Sequence, residues 1–62
     1  MSGNSMKNLG KVFKELRESR KISLRKATGG RFSVSLLSRF ENGQSEISAP
    51  KLITALENIH AS

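Results

Sequence analysis

The stretch "SVSLLSRFENG", residues 33–43, holds the side chains best suited to recognition by contact. Ser33, Ser35 and Ser38 are short groups that both donate and accept hydrogen bonds, and Arg39 is a long, forked donor. Val34 is compact and apolar. On a helix, Val34, Ser35, Ser38 and Arg39 lie away from Leu37 and Phe40, which suit a core, and Ser33 stands at the helix start. A face of small hydroxyls with one guanidinium can enter a groove, whereas bulkier charge would hold the helix off. The forked arginine matches a guanine edge, Val34 matches a thymine methyl, and serine suits either a base or a phosphate.

Other chemistries find little support. The chain has no Cys and one His, His60, so neither a disulfide nor a thiolate or histidine metal site is expected. Ser23 to Lys26, "SLRK", matches the S-x-x-K pattern of penicillin-binding enzymes but lacks its S-D-N and K-T-G companions. "GGR" is not a phosphate-binding P-loop. The expectation is a non-enzyme with no cofactor and no metal.

The recognition stretch needs elements to hold it. Leu9, Val12, Phe13 and Leu16 recur at helical spacing and predict an amphipathic helix over residues 8–20. Ser23 is a suitable N-cap for a short second helix that Gly29-Gly30 ends. Ser33 caps a third helix over residues 33–42, and Asn42-Gly43 stops it. A fourth begins at Ser48 or Ala49, with Pro50 tolerated in its first turn. No alternating strand pattern occurs. The fold class is all-α, with four to five short helices. The expected core is Leu9, Val12, Phe13, Leu16, Ile22, Ala27, Phe32, Leu37, Phe40, Leu52, Ile53 and Leu56, with Ile59 joining it from the fourth helix. Residues 1–6 read as a flexible leader, from a tag or cloning, and residues 7–62 as one domain.

Charge is lopsided. The 62-residue chain carries a net +6. Residues 1–31 hold nine Lys or Arg against Glu15 and Glu18, a net +7, and residues 32–62 hold Arg39 and Lys51 against Glu41, Glu46 and Glu57, a net −1. A one-sided positive field attracts polyanions. No apolar run is long enough for a membrane helix, and no signal peptide is visible, so the expected setting is the cytoplasm, away from membranes. Lys7, Lys11, Lys14 and Arg20 are expected on a solvated helix face.

Two short helices joined by a glycine turn form the helix-turn-helix unit, whose second helix enters the DNA major groove. "SVSLLSRFENG" resembles the recognition helix of the Cro/phage-repressor family through Leu37, Ser38, Arg39, Glu41, Asn42 and Gly43. More narrowly, "LGKVFKELRESRKISLRKAT" with "FSVSLLSRFENGQSEIS" resembles the N-terminal domain of the Rgg (MutR/GadR-like) transcriptional regulators of Gram-positive bacteria. Leu24 stands where the broader family usually has Gln.

The resemblance implies a lambda-repressor-like domain that binds double-stranded DNA sequence-specifically. It implies base contacts from Val34, Ser35 and Arg39, and Ser33 and Ser38 on the same stretch are expected to join them. Phosphate contacts are expected from Ser23, Arg25, Lys26, Arg31, Asn42, Gln44 and Ser45, some of them through backbone amides after the third helix. Arg17 and Glu41 match a pair that forms an internal salt bridge. Full-length members dimerise and sense short signalling peptides through a C-terminal domain absent from this chain; the isolated domain is expected to be a monomer or weak dimer. The rival reading is a Cro-like protein-interaction module of the antitoxin or anti-repressor type.

Overall fold

Serine hydroxyls cap the starts of the second, third and fourth helices, and residues in the left-handed region stop the first three. A computed structural model describes residues 5–60 as four α-helices: α1 (Ser5–Ser19), α2 (Leu24–Thr28), α3 (Val34–Glu41) and α4 (Ala49–His60). No strand occurs among the described residues, and the fold is all-α. Of the expected leader, residues 1–4 lie outside the described part. Ser5 and Met6 are already helical, so α1 begins earlier than the expected Asn8. Residues 61–62 of the expected domain also lie outside it.

Ser23 Oγ accepts the Lys26 amide at 3.1 Å, and Ser33 Oγ accepts the Leu36 amide at 3.0 Å, each satisfying a donor that the first helical turn leaves open. Gly29 closes α2 with φ 61° and donates its amide to the Arg25 carbonyl. Gly43, at φ 74°, closes α3: its amide reaches the Phe40 carbonyl, and the Gln44 amide reaches that of Arg39. That pair of bonds is the Schellman stop. The same motif ends α1, from Lys21 to Glu18 and from Ile22 to Arg17, with Lys21 rather than glycine at φ 59°.

The packed helix pairs are α1 with α3, α3 with α2, and α2 with α4. Phe13, Ile22, Ala27, Leu37, Phe40, Ile47, Ala55 and Ile59 form the buried core, with Leu24, Phe32 and Leu52 half-buried against it. The Phe13 and Phe40 rings meet at 6.3 Å between centroids, tilted by 56°. That spacing lies in the favourable range for aromatic pairs.

Two helices are turned relative to the faces expected from the sequence. Among the α1 residues whose burial is described, Gly10, Phe13 and Arg17 are buried, while Leu9, Val12 and Leu16 are exposed. The cause lies at Gly10: a Cβ there would collide with the Phe40 carbonyl oxygen and come within 3.3 Å of Glu41 Cα. The bare glycine allows backbone-to-backbone approach, and that approach selects the stripe through positions 10, 13 and 17. On α4, Ala55 and Ile59 are buried and Ile53 and Leu56 are exposed. There the small Ala55 belongs to the core, and Asn58 Nδ2 ties α4 to the Ala27 carbonyl of α2 at 2.8 Å. An open groove between α1 and α4 is lined by Leu16, Arg20, Leu56, Glu57, Ile59 and His60.

Candidate nucleic-acid interface

Helix α3 divides by face. At about 100° per residue, Leu37, Phe40 and Glu41 cover an arc of about 100° and are buried. Val34, Ser35, Ser38, Arg39 and Asn42 cover an arc of about 140° on the other side. Val34, Ser35, Arg39 and Asn42 are exposed and Ser38 is half-buried. Leu36, between the arcs, is also half-buried.

The one acid on α3, Glu41, is inside and only 5% exposed. Arg17 meets it with two parallel hydrogen bonds, Nε to Oε2 at 2.7 Å and Nη2 to Oε1 at 3.0 Å. The third guanidinium nitrogen, Nη1, donates to the Ile22 carbonyl at 2.7 Å. This forked geometry suits arginine and not lysine. The Arg17 pKa is held above its ordinary value, chiefly by hydrogen bonding to Glu41; burial opposes the shift, and the charges of Glu41 and Glu18 add to it. Arg17 is thus a brace between α1, α3 and the chain after α1.

Among the described residues, the ion pairs are those of Arg17 with Glu41 and, at 3.8 Å, with Glu18. Arg39, Arg25, Lys26 and Arg31 are exposed and have no carboxylate within ion-pair distance among the described residues. The α3 face therefore presents serine hydroxyls, one small apolar group and an uncompensated guanidinium, with no acid. Arg25 and Lys26 lie on α2, and Arg31 lies in the link to α3.

Several expected donors are already engaged within the chain. Ser23 and Ser33 use their oxygens as cap acceptors and keep the hydroxyl proton to donate. The Asn42 amide and its Nδ2 both go to the Ser38 carbonyl, at 3.1 and 2.9 Å. The Gln44 amide goes to Arg39 at 2.8 Å. The backbone amides of Asn42 and Gln44 are therefore taken, which removes two of the expected backbone phosphate donors. Gln44 keeps an exposed side chain. Ser45 directs its single hydroxyl proton to the Glu46 carbonyl at 3.3 Å, so an anion there would have to break that bond.

The structure also brings together residues that the sequence reading left apart. Asn8, Lys11 and Lys14, three apart on α1, line a groove of about 360 Å³ with Glu41, Asn42 and Gly43. Lys11 is exposed and Lys14 half-buried. Their spacing showed one stripe, but only the Gly10 contact shows what the stripe lies beside. The side chain of Lys7 lies outside the described part.

No helix of the described residues is long and apolar enough to cross a membrane, and no three His, Asp or Glu among them gather as metal ligands. In comparisons with known proteins, no family model matches the chain and no solved structure matches it.

Proposed function

We propose that this chain is a helix-turn-helix domain that binds double-stranded DNA sequence-specifically, with α3 in the major groove. The observation that carries the proposal is the chemistry of the exposed α3 face. It holds Val34, Ser35, Ser38 and an Arg39 with no ion-pair partner among the described residues, with Ser33 at the N-cap, while the helix's own acid is turned inward against Arg17. In this reading Arg39 is the forked donor to a base edge, Ser35 and Val34 sit at the front of the helix, and phosphates are met by side chains. These are Ser23, Arg25, Lys26, Arg31 and Gln44. Positioning by phosphate contacts and reading by base contacts are separate tasks, which accounts for basic charge lying largely outside α3.

The resemblance to Rgg regulators extends the proposal to a lambda-repressor-like transcription regulator acting in the bacterial cytoplasm. Two copies of α3 would then read half-sites about 34–36 Å apart, and a peptide signal would act through a domain outside this chain. The exposed apolar residues Leu9, Val12, Leu16, Ile53 and Leu56 favour the second reading, a protein-interaction module.

Salt separates the two. Binding to a duplex should fall with added salt at a log–log slope near −0.9 per neutralised phosphate, whereas an apolar interface responds little. With a duplex selected from a random library, Arg39→Ala should weaken binding by about 1–3 kcal/mol and relax one base preference. Unchanged base preference in that variant would refute the assignment of the reading face.

A further inference from the structure

We propose that the groove between α1 and the turn after α3 receives a backbone phosphate of the bound duplex, held by Lys11 and Lys14. The inference rests on the DNA-binding reading and adds to it a contact that ties α1 to the nucleic acid. Asn42 lies on the exposed arc of α3 and also lines the groove, so the groove opens onto the proposed reading face. Neither lysine has a carboxylate within ion-pair distance among the described residues. Glu41 lines the groove too, but both of its oxygens are bonded by Arg17, so its charge is balanced within the fold.

The donors must be side chains. The Asn42 and Gly43 amides are spent on the Ser38 and Phe40 carbonyls. The C-terminal end of a helix also carries partial negative charge, which opposes an anion there. Lys11 and Lys14 therefore supply the attraction, with Asn8 as a further polar group at the edge. Ammonium groups on flexible stems serve this purpose as point charges. A phosphate seated here would fix the angle of α3 in its groove, because Gly10 locks α1 and α3 together beside it.

The test is the salt dependence of binding to a mixed-sequence DNA duplex by the intact chain and by K11Q/K14Q. Lys11 is exposed, Lys14 is half-buried and neither makes an ion pair among the described residues, so the melting curve should be unchanged. The log–log slope should become shallower by about 0.9 for one phosphate, a loss of roughly eightfold at about 0.1 M salt against 1 M. The loss should be equal on selected and scrambled duplexes, and K11R/K14R should restore it. A wild-type slope retained in K11Q/K14Q would overturn the groove proposal while leaving the DNA reading intact. A loss confined to the selected duplex would overturn the phosphate assignment. Salt-insensitive or absent duplex binding by the wild type would overturn the DNA reading itself, and the groove proposal with it.

Discussion

Arg17→Met should come close to unfolding this domain. At about 0.05–0.15 kcal/mol per residue, a chain of 62 residues has a total stability of about 3–9 kcal/mol. The substitution leaves the Glu41 carboxylate, 5% exposed, with neither of its two donors, and the Ile22 carbonyl without its donor. Breaking one side of a buried ion pair costs about 3–5 kcal/mol. At about 8 °C per kcal/mol for a domain of this size, the melting temperature should drop by at least ~24 °C. The double variant Arg17→Met/Glu41→Leu removes the stranded charge and should recover all but the ~1–3 kcal/mol of the unsatisfied Ile22 carbonyl. It should also keep the proposed duplex binding, since the brace faces inward. Thermal melting by circular dichroism checks both variants. A shift below about 8 °C in Arg17→Met would mean that solvent reaches the pair freely, and the brace argument would fail. Because the Arg17 pKa is raised, its contribution is complete below the ordinary arginine value. It is lost only as pH rises through the higher folded value. Arg17 titration should thus add no slope to stability measured around neutral pH.

Gly10→Ala should destabilise the fold by about 1–3 kcal/mol by overpacking, against the ~1 kcal/mol gain that alanine brings to an ordinary helix interior; a raised melting temperature would show that α1 and α3 do not touch there. Lys21→Gly should stabilise by up to ~1 kcal/mol, because Lys21 sits at φ 59° where glycine has no Cβ penalty. Equilibrium urea unfolding would read that gain, and a lowered midpoint would place Lys21 outside the left-handed region in solution.

The helix boundaries were legible where side chains themselves do the capping. Ser23, Ser33, Gly29 and Gly43 announce starts and stops through chemistry confined to three or four neighbours. The buried faces of α1 and α4 were less legible. Apolar periodicity ranks stripes by hydrophobicity, so it chose Leu9, Val12 and Leu16 over Gly10 and Arg17. The choice is made by the partner surface: a glycine permits contact with a backbone, and an arginine is drawn inside by a buried glutamate. Ala55 escaped notice for the same reason, since a small side chain contributes to packing by what it lets come near. On α3, exposure of Ser35 and Arg39 followed from spacing alone. The engagement of Ser45 with Glu46 depends on loop geometry that no spacing encodes, whereas the Asn42 and Gln44 amides are taken by the helix end and its Gly43 stop.

One close contact organises the rest. Gly10 sets α1 directly on the backbone at Phe40 and Glu41. Two turns along α1, the same stripe then carries Arg17 to Glu41, and the α3 carboxylate is withdrawn from the exposed arc. Beside that stripe, Asn8, Lys11 and Lys14 are brought against Asn42 and Gly43. The exposed Leu9, Val12 and Leu16 are the remaining consequence, because a helix that buries an arginine turns part of its apolar stripe outward. The acid-free face of α3 and the lysine groove beside it thus share one cause, and a change at Gly10 should disturb both together with the fold. The surface substitutions at Lys11, Lys14 and Arg39 should instead separate them: the lysines should change the salt response, and Arg39 the sequence preference.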